Sequence, residues 1–362
     1  MTEGRTRSRQ RARTGSRPSA ASNSLAGISH IVVVFQENHT FDNYFGSYPG
    51  ANGTAGKGLL LPSTPGGLPS IAPFHSPTLT PADMNHSWAS AHADYDSGRM
   101  DGFVYSEGGD GTLAYFDPSD IPRYWALADE YVLCDQYFTS AMTESAPNHL
   151  YLVAGTAGGL EDDTVPATLP FPPIFQELDR AAIPWKVYGN TSWYASFEYV
   201  QRNPSAQARL LPGPAFASDL ASGSLADVTW IIGAPGGDEH PPANVQTGQN
   251  SVVDTVVNAV GKSPYWGSVA VFITWDCYGG FYDHLAPPQV DSMGYGFRVP
   301  CLVISPFALS GAIDHVTNDH TSILRFIEDR YRLAPLSTRD AAANNLAEAF
   351  DFTRPPRTFV PA

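Results

Sequence analysis

The sequence predicts an α/β fold of the doubly wound type, a mostly parallel sheet between two layers of helices. Three observations carry this reading. Apolar runs of strand length recur along the chain, several of them β-branched and nearly continuous, as suits strands buried on both faces. Helical patterns separate these runs, which is the order expected of parallel crossovers. The 362 residues are 43% hydrophobic, enough for one large core. Predicted strands are Ile28–Phe35, Trp185–Tyr188, Val228–Gly233, Val269–Thr274 and Val299–Ile304. Of the helices, Ser251–Val260 has the strongest pattern: Ser251 can cap it, Val252, Val253, Val256, Val257 and Val260 form one stripe, and Gly261 ends it. Another covers Thr321–Tyr331, and weaker patterns cover Tyr124–Tyr131, Leu150–Ala154, Ile174–Ala181 and Ala341–Phe350. In such a fold, ligands gather at the carboxyl ends of the strands.

Composition narrows the function classes. Charged residues are only 16% of the chain, while 32 Gly and 31 Pro mark a loop-rich enzyme. The stretch from Ser47 to Asp83 is rich in Gly, Pro, Ser and Thr and reads as a surface excursion (47–83) of a single domain over 27–362. Residues 1–26 read as a disordered tail, with Arg5, Arg7, Arg9, Arg11, Arg13 and Arg17 against Glu3. The net charge is −15 despite that basic tail, so the folded part repels polyanions and nucleic acid is not an expected partner. No run of about 18 apolar residues supports a transmembrane segment. The tail lacks the apolar core of a secretory signal, so a cytoplasmic location is the default expectation. Cys134, Cys277 and Cys301 are too few and too odd in number for a disulfide framework.

Three polar clusters carry chemistry. Glu37 and Asn38 directly follow the first strand, where their oxygens can face a cation in the sheet crevice. Asn and acidic residues are equally ordinary at helix starts, so a cap explains them too. Thr274-Trp275-Asp276-Cys277 closes another strand, and Gly279-Gly280 lets the backbone approach a ligand. Cys277 is either a ligand beside Asp276 or a small buried residue. Glu144-Ser145-Ala146-Pro147-Asn148-His149 leads into a helical stretch, where Ser145 is either a nucleophile in a positive helix dipole or a capping serine.

Together these segments resemble the bacterial phosphoesterases that include non-specific phospholipases C and respiratory-burst-inhibiting acid phosphatases. Glu37-Asn38-His39-Thr40-Phe41-Asp42-Asn43-Tyr44-Phe45-Gly46 resembles the family's E-N-R-S-F-D-H-Y-F-G. Arg99-Met100-Asp101-Gly102-Phe103 is similar to its K-M-D-G-F, and Leu133 to Phe138 to its L-C-D-x-Y-F. Glu144 to Tyr151 resembles P-T-x-P-N-R-x-Y, and Glu239-His240-Pro241-Pro242, Asp276 to His284, Arg298-Val299-Pro300 and Asp319 to Ser322 follow in the expected order.

The resemblance implies an alkaline-phosphatase-like α/β/α sandwich with one divalent metal ion and a hydroxyl nucleophile. It places Glu37, Asn38 and Asp276 on metal ligands and Ser145 on the nucleophile. Cys277 departs from the Asp or Glu usual there: if it ligates, zinc or iron is expected, and otherwise calcium or magnesium. His86 and His240 fall on phosphate-side histidines, either of which can be the general acid, while His284, His320 and Asn148 are expected at the substrate. The implied reaction is metal-dependent hydrolysis of a phosphate ester through a phosphoserine. Because larger phospholipases C of the family carry further C-terminal modules, the expectation leans to an acid-phosphatase-like phosphomonoesterase. The alternatives are a phospholipase C acting on a phospholipid head group, and a catalytically weakened binding protein.

Overall fold

A computed structural model describes residues 25–362, so the expected Arg-rich tail lies almost wholly outside the described residues. An eight-stranded sheet forms the centre. Its strands are β1 (His30–Gln36), β2 (Val132–Cys134), β3 (Trp185–Gly189), β4 (Leu210–Leu211), β5 (Val228–Ile232), β6 (Val269–Trp275), β7 (Cys301–Ile304) and β8 (Ala312–Asp314). The spatial order is β8-β2-β7-β6-β1-β5-β3-β4, and only β7 runs against its neighbours. The mostly parallel α/β sheet expected from the sequence is therefore present. β7 is the exception: a continuous apolar run marks burial on both faces, and burial does not encode strand direction.

Side chains alternate across the sheet, and the partners on its two faces identify the layers. Phe35 and Phe272 meet α3 (Ser145–Ala154) and α6 (His320–Tyr331), through His149, His320 and Phe326. Gln36 and Trp275 point the other way, toward Glu239 and toward Tyr124 of α2 (Pro122–Glu130). Every residue of β6 is buried, as a strand covered from both sides must be.

Two predicted helices need correction. The valine stripe faces the core as expected, but its helix starts earlier, at α5 (Val245–Val252), and runs on through Val253–Val257 to Asn258–Gly261. Asn244 is the cap, accepting the N–H groups of Gln246 and Thr247 at 3.0 Å each, and Ser251 lies inside the helix. Between Ala341 and Phe350 the helix stops at α7 (Thr338–Ala342). There the amides of Asn344 and Asn345 donate to Thr317 O and Asp329 Oδ2, at 2.7 and 2.6 Å, in competition with helical pairing. Across 47–83 the only strand is Phe74–His75.

Register puts three strand ends level. β1 pairs with β6 from His30 opposite Val269 to Gln36 opposite Trp275, and Phe35 stands opposite Ile232 of β5. Glu37, Asp276 and the Gly233–His240 turn therefore leave one edge of the sheet side by side. Backbone bonds fix them there: Asp276 N–H donates to Gln36 O at 2.9 Å and Glu37 N–H to Asp238 O at 2.7 Å.

Candidate active site

The loop after β1 is not a helix cap. Thr40 caps the short α1 (Phe41–Phe45), its hydroxyl accepting from Asn43 N–H, which leaves Glu37 and Asn38 free to face the crevice. Asn38 takes a left-handed φ of 65°. Gly279, also left-handed at φ 62°, passes so close that a Cβ there would lie 2.5 Å from the Asn38 carbonyl oxygen. Only glycine permits that approach.

Asp276 is fully buried. Its Oδ1 accepts the backbone N–H groups of Cys277 at 2.6 Å and Asn38 at 3.3 Å, while its Oδ2 has no hydrogen-bond partner. His320 supports it from below: Nε2–H donates to the Asp276 carbonyl at 2.9 Å, and Nδ1 lies 3.2 Å from the Tyr137 hydroxyl. Burial pushes the His320 pKa down to about 3, so it is a neutral support under the strand end, away from the substrate position expected of it.

Ser145 is the first residue of α3, and Glu144, not Ser145, occupies the cap position. Its hydroxyl lies 3.9 Å from Cys277 Sγ and faces Asp276. The turn that presents it is held by Asp163, whose Oδ1 accepts Ala146 N–H at 2.7 Å. Asn148 completes the turn: its Oδ1 accepts Ala141 N–H at 2.9 Å and its amide donates to Glu144 O at 3.0 Å. Expected at the substrate, Asn148 is instead spent on the backbone that carries Ser145.

His86 and His240 stand on the other side of the crevice, their ring centres 6.2 Å apart. Each fixes Nδ1 to a backbone carbonyl, of Met84 and of Pro241, at 2.7 Å in both cases. Each thereby turns Nε2 to the site, His86 to within 3.4 Å of Asn38 Nδ2 and His240 to within 4.0 Å of Glu37 Oε2. His284, by contrast, is bound to Asp42 at 2.6 Å in a separate cluster around Arg298, away from its expected place at the substrate.

Two residues beyond the sequence reading complete the arrangement. His149, one turn after Ser145, is fully buried with Nε2 3.7 Å from Asp276 Oδ2. The fully buried Glu239 accepts from Tyr44, Tyr124, Trp275 and Gln36, tying the His240 turn to the ends of β1 and β6. His149 stands where the resembling motif has arginine, the one signal that marked it, while Glu239 could have been noticed only as a carboxylate preceding His240.

The electrostatics of the site ask for a cation. The Glu37 carboxyl is held well above the ordinary range by burial, then by the like charges of Asp276, Asp238 and Asp163. Burial pushes Asp276 up to about 6, although the Ser145 hydroxyl and the Cys277 and Asn38 N–H groups oppose the rise. Donor atoms of Glu37, His149 and Asp276 lie within 4.8 Å of one another, and Asp276 Oδ2 and His149 Nε2 are both buried without a partner. This set fits a divalent metal ion. Cys277 Sγ, an expected ligand, donates instead to Asn38 Oδ1 at 3.0 Å and stays outside that group.

Residues 28–334 match the Phosphoesterase family. The chain belongs to that family. It is thus a hydrolase acting on phosphoric ester bonds. Among its relatives is phospholipase C A of Mycobacterium tuberculosis, 28% identical over 93% of this chain and 80% of that protein. Non-hemolytic phospholipase C of Burkholderia pseudomallei is 29% identical over 91% of this chain, which spans 60% of that relative. A solved structure of an alkaline phosphatase superfamily protein from Vibrio parahaemolyticus aligns with a TM-score of 0.43 at 12% identity, covering 88% of this chain and 69% of that one. The sheet order described above, not this likeness, defines the fold.

Proposed function

We propose that this phosphoesterase uses Ser145 as its nucleophile, passes through a phosphoserine, and acts on phosphodiesters of the phospholipase C type. The observation that carries the reading is the meeting of Ser145, at the amino end of α3, with Asp276 across a crevice from His86 and His240. The names of the relatives support a phospholipid head group over the phosphomonoester expected from sequence.

Glu37 and Asp276 would hold a divalent ion, which would supply positive charge to lower the Ser145 hydroxyl pKa and neutralise the phosphate. The α3 dipole favours the Ser145 alkoxide in the same direction. Ser145 gives up its hydroxyl proton to solvent, its Oγ forms a bond to phosphorus as the bond from phosphorus to the leaving alcohol oxygen breaks, and that oxygen takes a proton from Nε2 of His240 or His86. The histidine left neutral then takes a proton from water, whose oxygen attacks phosphorus as the bond from phosphorus to Ser145 Oγ breaks, and the released Ser145 oxygen regains a proton from solvent. His320 and Asn148 hold Asp276 and Ser145 in place throughout.

The test compares release of phosphocholine from phosphatidylcholine with hydrolysis of phenyl phosphate, for the wild type and Ser145→Ala, with Zn²⁺, Mn²⁺, Ca²⁺ or Mg²⁺ added. Faster turnover of the diester, lost in Ser145→Ala, is expected. A wild type that turns over only phenyl phosphate would return the substrate to the monoester class. An active alanine variant would remove Ser145 as nucleophile.

A further inference from the structure

We infer that His149 is a metal ligand in this chain and that Cys277 is not, so the centre is built from two carboxylates and one imidazole. The inference rests on the phosphoesterase reading for the presence of an ion, but the assignment of ligands comes from geometry alone.

His149 has the surroundings of a ligating histidine. It is fully buried, and its Nε2 is left without a hydrogen-bond partner 3.7 Å from an equally unpartnered Asp276 Oδ2. Two buried polar atoms left facing each other this way cost free energy unless something sits between them. Its other nitrogen, Nδ1, lies 2.8 Å from the Tyr194 hydroxyl. With Nδ1–H donated to that oxygen, the Nε2 lone pair is directed at Asp276, the tautomer a metal requires. The ring is locked by edge contacts with Phe35 and Trp193, at centroid distances of 4.6 and 4.8 Å. A ligand held by packing and by an outer hydrogen bond is pre-organised.

Cys277 has the opposite surroundings. Its thiol is already a donor, to Asn38 Oδ1 at 3.0 Å, and it lies outside the group of donor atoms formed by Glu37, His149 and Asp276. A set of two carboxylates and one imidazole prefers zinc, cobalt or iron to magnesium or calcium.

The experiment measures binding, not turnover. Apo-protein prepared with a chelator is titrated with Zn²⁺ by calorimetry and with Co²⁺ by visible absorption. His149→Phe, which keeps an aromatic ring between Phe35 and Trp193, is expected to weaken Zn²⁺ binding by about 100-fold or more, and Tyr194→Phe by roughly tenfold. Cys277→Ala is expected to bind like the wild type, and the Co²⁺ protein to show ligand-field bands without thiolate-to-cobalt charge transfer. Wild-type affinity in Tyr194→Phe or in a folded His149→Phe, or a charge-transfer band abolished by Cys277→Ala, would overturn the inference. A chain that binds Co²⁺ as expected yet hydrolyses no phosphate ester would sink the proposed function and leave this ligand set standing.

Discussion

Asp42 lies five positions after Glu37, and each belongs to a largely buried group of two carboxylates and a histidine: Glu37, Asp276 and His149 in one, Asp42, Asp283 and His284 in the other. The second group contains its own cation. Arg298, fully buried, gives Nη2–H to Asp42 at 2.9 Å and to Asp283 at 3.0 Å, gives Nη1–H to the carbonyls of Asn52 and Asp135 at 2.7 Å, and lies over the Phe41 ring. The first group has Asp276 Oδ2 and His149 Nε2 unpartnered, and burial followed by like charges raises Glu37. The same residue types thus serve opposite ends. The closed group supplies its own cation and ties loops together; the open group brings together donor atoms that fit a cation its own residues do not supply.

The sharpest way to separate the two is to remove the Ser145 hydroxyl. Ser145→Ala is expected to lower phosphoester turnover by about a thousandfold or more, with little change in the urea midpoint, because one hydroxyl at a helix start contributes little packing. A variant that keeps wild-type turnover would show that the open group does not carry the reaction.

Breaking the closed group should do the converse. Arg298→Met leaves Asp42 and Asp283 buried without their cation, which costs about 3–5 kcal/mol in such pairs, read from chemical denaturation. If the methionine variant does not fold, Arg298→Lys, which keeps the charge but loses the fork, should fall between it and the wild type. Wild-type stability in both would mean that the knot is not what holds the 42–52 and 283–298 loops.

How far these groups can be read from the sequence follows from their place in the chain. Glu37, Asn38, Asp276 and Cys277 are legible because each sits at the end of a long apolar strand, and a strand end in this fold class is a known address. Ser145 is legible from its motif. His149 is not, since it lies on a helix whose ten residues are all buried, and only the packing of α3 over the sheet brings it to Asp276. Arg298 is hidden for a related reason: its partners come from segments 15 and 256 residues away. The antiparallel course of β7 and the three-residue strand β2 leave no periodic trace.

Adding metal should stabilise the open group alone. Zn²⁺ at a hundred times its Kd is expected to raise unfolding free energy by about 2.7 kcal/mol, and a chelator to remove that gain. Arg298→Lys should respond to Zn²⁺ as the wild type does, while Glu37→Gln should respond weakly. An equal response in Glu37→Gln would detach Glu37 from the metal.

The last effect is the most specific, because its sign is opposite to that of an ordinary core substitution. In the metal-free protein Asp276 titrates near 6 against an ordinary value of 3.8, the rise coming first from burial. Between those values the folded chain binds more protons than the unfolded one, so metal-free stability falls as pH rises through that window and stays lowered above it. Asp276→Asn removes the charge and keeps an oxygen to accept the N–H groups of Asn38 and Cys277. Without metal it should therefore exceed the wild type in stability by on the order of 1–3 kcal/mol at pH 8, and the two should converge as pH drops below about 4. With Zn²⁺ the order should invert, because the asparagine gives the ion a weaker ligand than the carboxylate it replaces. Urea curves at pH 4, 6 and 8, with and without Zn²⁺, read both signs. An asparagine variant less stable than the metal-free wild type at pH 8 would show that Asp276 is satisfied without a cation, and the contrast between the open and closed groups would fall.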